Sequence, residues 1–200
     1  MKIKLNGSDF DFQIENEVTV GEVLGKVEEA CGQQKSTIIE VCLNGKTLQA
    51  DELDFLFAKS VKEDLTVELF TINKDGIRLY LKDLAKNFIR NAEDLEKVPV
   101  KMQTGKDGEV ISLIENFSVN LTHLYNTIKL FDVADIPQDY KFGDKTIVEY
   151  QKQISEFLDI IISALENKDT IEVSDIAEYE LSPLVKDLGN GLLSLDISKN

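Results

Sequence analysis

The spacing of the apolar residues changes near residue 73, and this change constrains the fold of the chain more than any other feature. Before it, apolar and polar residues alternate in short runs, which is the pattern of β-strands with one buried face. After it, apolar residues return every three or four positions over long stretches, which is the pattern of amphipathic helices. The sequence therefore predicts an α+β protein with two domains, residues 1–72 and residues 73–200.

Two alternating runs open the first domain. Met1–Leu5 (MKIKL) and Phe10–Ile14 (FDFQI) each place an apolar residue at every second position, and a turn-like NGSD lies between them. Alternation on both sides of an Asn-Gly pair is typical of a β-hairpin. A helix should follow, because Thr19 and Glu22 have the spacing of a capping box and apolar residues then recur at helical spacing until Gly32.

Further strands complete the first domain. Glu40–Leu48 (EVCLNGKTL) is predicted to be a second hairpin that turns at Asn44-Gly45. In its first strand the predicted inward residues are Ile39, Val41 and Leu43, and the predicted outward residues are Glu40 and Cys42. A turn or short helix is predicted over Ala50–Asp64, followed by a closing strand, Leu65–Ile72 (LTVELFTI), with Leu65, Val67 and Leu69 inward.

The order of these elements, β, β, α, β, short β, connection and β, resembles the ubiquitin-like β-grasp fold. The resemblance covers residues 1–72 and rests on the two alternating N-terminal strands, the helix TVGEVLGKVEEA, the hairpin VCLNGKTL and the last strand LTVELF. It implies a small sheet packed on one helix, with the VCLNGKTL hairpin in the sheet.

Two features of ubiquitin are missing from this chain. Ubiquitin and its conjugated relatives end in a mobile tail with a terminal Gly-Gly that is activated and ligated, whereas the closing strand here continues into TINKDGIRLYLKDL. Ubiquitin is also bound through an apolar patch on the outer face of its third and fifth strands, and the corresponding positions here lie near Cys42 and Glu68, beside Glu40 and Phe70. We therefore expect neither conjugation as a modifier nor recognition by receptors specific for ubiquitin.

The second domain is predicted to be an antiparallel up-down bundle of about four helices. The apolar stripes of these helices run over residues 77–95, 110–131, 147–165 and 176–188. Leu158 and Ile162 lie outside the stripe of the third helix, which indicates that this helix is central in the bundle or contacts a second subunit.

The breaks between the predicted helices follow from turn and capping residues. Pro99–Glu109 is predicted to be a loop, and another break is predicted at Pro137. Asp144 is a candidate N-cap for the third helix, and Ser174 or Asp175 for the fourth. The fourth helix is predicted to kink at Pro183 and to stop at Gly189-Asn190-Gly191.

The charge of the chain excludes several classes of partner. Its formal net charge is −15, whereas nucleic acids and anionic membranes are bound by cationic surfaces. The most apolar late segment, FLDIIISALE, is too short and too charged to span a bilayer, and no signal peptide is apparent. Two cysteines do not form a disulfide framework, so we expect a cytoplasmic protein.

No catalytic, cofactor-binding or metal-binding residues are predicted. The GNG at residues 189–191 lacks the lysine of a phosphate-binding loop, and no serine lies in a nucleophile elbow. Cys31 and Cys42 lie on separate elements without CxxC spacing, and Cys31 is predicted to be a small buried apolar residue. The single histidine, His123, is predicted to lie at the surface or its boundary rather than to be a ligand.

Two groups of residues have more than one interpretation. Asp132, Asp135, Asp139 and Asp144 offer the carboxylates that Ca²⁺ or Mg²⁺ prefers, but their spacing does not match an EF-hand, and a solvated loop is the favoured interpretation. Phe55 and Phe57 are either buried under the sheet, which the sequence favours, or exposed as an anchor for a partner.

Three hypotheses for the function remain. The first is a non-enzymatic cytoplasmic module for protein–protein interaction, an adaptor or assembly factor, and it rests on fold-level analogy. The second is a chaperone-like or secretion-associated factor that holds a partner helix on the bundle, and the third is an enzyme with a site between the domains. Independently of these hypotheses, an apolar bundle face that continues across subunits would give a homodimer through the helical bundle.

Overall fold

The computed structural model describes residues 1–195, and it divides the chain into the units Met1–Gly76 and Ile77–Asn200. The predicted boundary between residues 72 and 73 lies four residues before this division. The N-terminal unit contains a mixed sheet and the C-terminal unit is largely helical, so the prediction of an α+β fold is confirmed.

A five-stranded mixed sheet organises the N-terminal unit. Its strands lie in the order β2-β1-β5-β3-β4, with β1 and β5 parallel and the other neighbours antiparallel. The strands are β1 (Lys2–Leu5), β2 (Ser8–Phe10), β3 (Ser36–Leu43), β4 (Lys46–Thr47) and β5 (Thr66–Asn73). β2 is shorter than predicted, because the chain leaves the sheet after Phe10 instead of continuing to Ile14.

Both Asn-Gly pairs turn the chain as predicted. Asn6 and Asn44 each have a φ of 50°, and Gly7 and Gly45 have φ values of 85° and 84°. Positive φ at both central residues is the conformation of a type I′ turn, which matches the twist of the flanking strands. The two hairpin predictions are therefore confirmed.

The core of the N-terminal unit lies between the sheet and helix α1 (Val20–Gln33). The predicted capping box is present, with the Glu22 amide donating to Thr19 Oγ1 over 3.3 Å and the Thr19 amide donating to Glu22 Oε2 over 3.3 Å. The buried apolar side chains of α1 pack against Ile3, Leu56, Leu65, Val67 and Leu69. α1 ends at Gln33 rather than at Gly32, and Lys35 takes the left-handed conformation, with a φ of 51°.

A β-bulge in β3 changes which residues face the core. The pairing of β3 with β5 shifts between Ile38 and Glu40, so one residue of β3 is left without an opposite partner. As a result Ile38 packs against the core while Ile39 is 53% exposed, so the inward prediction was wrong for Ile39. Val41 packs inward as predicted.

The C-terminal unit contains long helices joined by short elements. A 3₁₀ turn (Ala50–Glu52) and the short helix α2 (Leu53–Phe57) still belong to the N-terminal unit. The helices that follow are α3 (Lys74–Leu95), α4 (Val98–Gln103), α5 (Asp107–Ile128), α6 (Ile147–Glu166), α7 (Thr170–Asp175) and α8 (Ser182–Leu193). A hairpin of β6 (Lys141–Phe142) and β7 (Lys145–Thr146) precedes α6, and a π-helical segment over Ile176–Leu181 joins α7 to α8.

Side-chain contacts join neighbouring helices of this unit. Phe88 of α3 meets Phe117 of α5 edge-on, with ring centroids 6.1 Å apart. Asn120 Nδ2 of α5 donates to Asn91 Oδ1 of α3 over 2.8 Å. On another side of α3, Ser182 Oγ donates to the Ala92 carbonyl over 3.0 Å, which joins α8 to α3.

Three predicted breaks between helices were wrong in detail. Part of the predicted loop after Pro99 is helix α4, because a proline is compatible with the first turn of a helix. The N-cap of α6 is Thr146, which forms a capping box with Glu149, whereas Asp144 lies in the β6–β7 turn. The N-cap after α6 is Asp169, which accepts from the Glu172 amide over 3.0 Å, and not Ser174 or Asp175.

The predicted stop at Gly189-Asn190-Gly191 was also wrong, because α8 continues to Leu193. Both glycines are buried, and they allow other elements to approach α8 closely. A Cβ on Gly189 would lie 2.8 Å from Ile89 Cγ1 of α3, and a Cβ on Gly191 would lie 2.7 Å from the carbonyl carbon of Phe142. These glycines therefore serve packing and not helix termination.

Candidate partner-binding surface

A shallow depression of about 240 Å³ lies between α4, α7 and the π segment. Three side chains of α4 line one side of it, and residues of α7 and the π segment line the other. We call this region the α4–α7 surface and define it by Pro99, Met102, Gln103, Ile171, Asp175 and Tyr179.

Two large apolar side chains of the α4–α7 surface face solvent. Ile171 is 72% exposed and Tyr179 is 65% exposed. A second depression, of about 460 Å³, adjoins the first and is also lined by Ile171 and Asp175, together with Glu172. Single exposed apolar residues are common, so what distinguishes Ile171 and Tyr179 is that both line one depression, which makes this surface the candidate.

The border of this surface is acidic. Residues 169–180 contain no lysine or arginine and five carboxylates, Asp169, Glu172, Asp175, Glu178 and Glu180. The negative charge of Glu178 raises the pKa of Tyr179 above its usual value, and a hydrogen bond to Glu178 and the charge of Asp175 act in the same direction. The surface therefore combines exposed apolar groups with a negative electrostatic potential.

Pro183 accounts for the π segment on which Tyr179 lies. A proline inside a helix has no amide to donate, and its ring clashes with the carbonyl four residues earlier, here that of Tyr179. In the wider π turn the Ser182 amide donates instead to the Ala177 carbonyl, five residues earlier. The sequence predicted an irregularity at this place in the form of a kink at Pro183. Short π segments inside helices are frequent at functional sites.

A polar cleft of about 660 Å³ lies beside the end of α3, α4 and the start of α5. Its lysines are paired, Lys97 with Asp94 over 2.8 Å and Lys101 with Glu109. Because each cation has a carboxylate partner, the cleft presents little net charge to a ligand. We assign no function to it.

The two cysteines are both buried in the N-terminal unit. Cys31 lies in the core as predicted, and burial raises the pKa of its thiol, which disfavours the reactive thiolate. Cys42 lies on the outer face of the sheet as predicted, since its neighbour Val41 packs inward, yet it is only 7% exposed. Its sulfur lies 3.5 Å from Glu40 Oε1 and 3.3 Å from Thr47 Oγ1, so neighbouring side chains cover it.

The other candidate residues are at the surface. His123 is exposed, as predicted, and its ring centroid lies 6.4 Å from that of Tyr80. The acidic residues considered for a cation, Asp132, Asp135, Asp139 and Asp144, are all exposed. Within residues 1–195, no three His, Cys, Asp or Glu side chains are grouped so that they could hold a metal ion.

The favoured burial of the α2 phenylalanines was wrong. Phe55 is 68% exposed and Phe57 is 37% exposed, while Leu56 between them is fully buried. The amino group of Lys59 lies 4.4 Å from the centroid of the Phe55 ring, which is within the range of a cation–π contact. The exposure of Phe55 agrees with the alternative interpretation of this residue and not with its burial under the sheet.

The α4–α7 surface was not predicted from the sequence, because α4 was predicted to be a loop. The available signal was the pair Val98 and Met102, four residues apart and both buried, with Pro99 between them at a position that the first turn of a helix accepts.

Comparisons with known proteins match both units to described families. Residues 1–73 match the family model of the TP0873 N-terminal domain, and residues 80–191 match that of a domain of unknown function, DUF8042. An uncharacterized protein of Treponema pallidum (strain Nichols) is 37% identical over 197 residues, which cover 98% of each chain. No solved structure matches.

Proposed function

The chain belongs to the DUF8042 family, its residues 1–73 match the TP0873 N-terminal domain, and we propose that it is a non-enzymatic protein-binding module, an adaptor or assembly factor. We further propose that the helical unit contacts the partner. The observation that carries the proposal is the α4–α7 surface, where Ile171 and Tyr179 are 72% and 65% exposed beside a depression. Exposed apolar and aromatic side chains at the edge of a concave surface are the usual anchors of protein interfaces.

We extend the proposal to the folds of the two units. A mixed sheet of two hairpins and a closing strand, packed on one helix, supports a ubiquitin-like β-grasp for the N-terminal unit. Contacts of α3 with α5 and with α8, and of α6 with α8, support a bundle formed by the four long helices of the C-terminal unit. Both folds are common scaffolds for binding surfaces, so they are compatible with an adaptor.

The test is capture of partners from native lysate with the full chain as bait. The variant Ile171→Ser/Tyr179→Ser should reduce recovery of the bound partner at least about tenfold, because truncated interface anchors cost this much or more. Val148→Ser is a matched control, since Val148 is, like Ile171, the second residue of its helix and is 63% exposed. Unchanged recovery with the double variant, or equal loss with the control, would contradict the proposal.

The chaperone-like function is the second candidate, and the same depression favours it. A factor that shields a helix would bind many unrelated apolar helices, whereas an adaptor binds few partners. Capture should therefore return a small, reproducible set of proteins if the chain is an adaptor, and a broad set if it is chaperone-like.

A homodimer through the helical unit is proposed as a separate property. On α6, Ile162 is 49% exposed and Leu158 is half-buried, so this helix offers apolar contacts to a second copy. Light scattering after gel filtration would then give about twice 22.5 kDa, and Ile162→Lys would return the mass to 22.5 kDa. A monomer mass for the unaltered chain would reject the dimer.

We also propose a cytoplasmic location and no binding to nucleic acid or to anionic membranes. The net charge of −15 supports the absence of binding to nucleic acid and to anionic membranes, because a negatively charged protein surface repels phosphate groups. None of the helices in residues 1–195 combines the length and the apolar character that crossing a bilayer requires.

A further inference from the structure

We propose that the α4–α7 surface binds a cationic amphipathic helix of a partner protein, with apolar residues on one face and lysine or arginine beside them. This inference rests on the proposed protein-binding function and adds the chemistry of the partner. It follows from three properties of the surface, which are the arrangement of its apolar groups, its charge and its size.

The apolar and acidic groups of this surface lie on one face of the chain. Residues that line the depression recur along α7 and the π segment at Ile171, Asp175, Glu178 and Tyr179. Because all four residues line the same depression, their side chains share one face of the chain although Glu178 and Tyr179 lie in the π segment. A partner that meets this face must place apolar side chains against Ile171 and Tyr179 and cationic side chains against Asp175 and Glu178.

The charge of the surface selects against other occupants. A second copy of this chain would bring the same carboxylates of Glu172, Asp175 and Glu178 into opposition, and like charges facing each other in an interface are unfavourable. Nucleic acid and anionic lipid would be repelled for the same reason. Lysine and arginine on a partner complement the five carboxylates of residues 169–180.

The form of the surface favours a helix over an extended segment. It is built by α4, α7 and the π segment, so it offers no strand edge to which an extended peptide could add. Ile171 and Tyr179 are eight positions apart, which is about two helical turns, so a partner helix of about the same number of turns matches the face. Helices that bind in grooves use anchors of this spacing.

The experiment uses a defined probe, a fluorescein-labelled helical peptide with leucine on one face and lysine on the other, and its counterpart with glutamate in place of lysine. Fluorescence anisotropy measures the affinity of each peptide for the full chain. The lysine peptide should bind at least about tenfold more tightly, and its affinity should fall between about 50 mM and about 200 mM salt, because screening weakens exposed charge pairs.

Two charge variants separate local from overall attraction. The variant Glu172→Gln/Asp175→Asn/Glu178→Gln removes three charges from the surface and its acidic border. Glu115→Gln/Glu156→Gln/Asp159→Asn removes three exposed charges on α5 and α6, so that both variant chains have a net charge of −12. The first variant should weaken binding of the lysine peptide about fivefold to tenfold, because each exposed ion pair that is lost contributes only a small part of the binding energy. The second should change it less than about twofold.

Equal weakening by both charge variants, or equal affinity for both peptides, would overturn the inference. The Ile171→Ser/Tyr179→Ser variant then tests whether the proposed protein-binding function fails together with the inference. If it still abolishes capture of the natural partner, the protein-binding function stands without a cationic helix as the partner. If it affects neither the peptides nor the natural partner, both the inference and the proposed function are rejected.

Discussion

Replacing Gly191 with alanine should destabilise the helical unit, although alanine is the better helix former. A Cβ at this position would lie 2.7 Å from the carbonyl carbon, 2.8 Å from the Cβ and 2.9 Å from the carbonyl oxygen of Phe142. Side-chain rotation cannot relieve these contacts, because all three atoms belong to the backbone or to the first side-chain carbon. Either α8 or the β6–β7 hairpin must therefore move.

The expected size of the effect follows from two opposing contributions. Alanine in place of glycine inside a helix stabilises it by about 1 kcal/mol. Overpacking a tightly packed core costs about 1–3 kcal/mol and sometimes more, and rigid backbone contacts place Gly191→Ala at the upper end. We expect a net loss of about 2 kcal/mol in the free energy of unfolding.

Urea unfolding followed by far-ultraviolet circular dichroism measures this loss. Gly108→Ala is the matched control in the same unit, since a Cβ at Gly108 of α5 would have nothing within 4 Å. That variant should gain about 0.4–1 kcal/mol, because alanine restricts the unfolded chain. Equal stability of the Gly191→Ala and Gly108→Ala variants would refute the packing role of Gly191.

A second substitution tests which atoms cause the loss. Phe142→Ala should not rescue Gly191→Ala, because the conflicting atoms of Phe142 remain. Ile89→Ala should partly rescue Gly189→Ala, since it removes Ile89 Cγ1, which lies 2.8 Å from the added Cβ.

Three further changes should give distinct results. Thr19→Ala should lower the unfolding free energy by about 0.5–2 kcal/mol through loss of the α1 N-cap, measured by urea unfolding, whereas Thr122→Ala at an exposed site of α5 should not. Glu17 accepts two backbone amides and pairs with Lys26, and the lysine hydrogen bond is the main cause that lowers its pKa from 4.5 to about 2. Its stabilising effect is therefore complete above pH 4.5 and is lost as the pH falls toward 2, so the stability difference between the unaltered chain and Glu17→Gln should narrow over that range in acid-unfolding curves. Tyr150→Phe should cost about 1–3 kcal/mol in urea unfolding, because it removes the one hydroxyl hydrogen that the Asp187 carboxylate, 2.5 Å away, and the Phe142 carbonyl, 2.8 Å away, share. Tyr179→Phe at the surface should change the free energy of unfolding by less than about 0.5 kcal/mol.

Features that depend on neighbouring residues in the chain were predictable from the sequence. The Asn-Gly turns and the Thr19 capping box were predicted correctly because a few adjacent residues determine the backbone conformation. The apolar stripe of α3 was also correct, and its buried members are Ile77, Leu81, Leu84, Phe88 and Leu95.

Features that depend on distant residues were not predictable. A glycine in a helical sequence indicates either a C-cap or a close packing contact. The two cannot be distinguished without knowing which distant residue of the same chain packs against the glycine. Gly191 packs against Phe142, which lies 49 positions earlier in the chain, so the predicted end of the helix at Gly189-Asn190-Gly191 was wrong. Ile39 was misplaced for a similar reason, since the bulge is defined by the register between β3 and β5.

The candidate surface was missed because no single segment contains it. Its two sides come from α4 and α7, and Met102 and Ile171 are 69 positions apart in the sequence. Within residues 169–180, however, the sequence shows five carboxylates and no lysine or arginine, so the charge of this part of the surface was visible. The sequence did not show that residues of α4 line the other side of the depression.

Pro183 connects the irregularity that the sequence predicted with the surface that it did not predict. A regular α-helix from α7 into α8 would bring the Tyr179 carbonyl against the Pro183 ring, and the π turn avoids this contact by spanning five residues instead of four. Such a turn contains more residues than an α turn, so it changes the direction in which Tyr179 projects relative to Ile171. Ile171 and Tyr179 nevertheless line one depression and are both exposed, so the surface combines a residue of the regular helix α7 with a residue of the π segment that precedes Pro183.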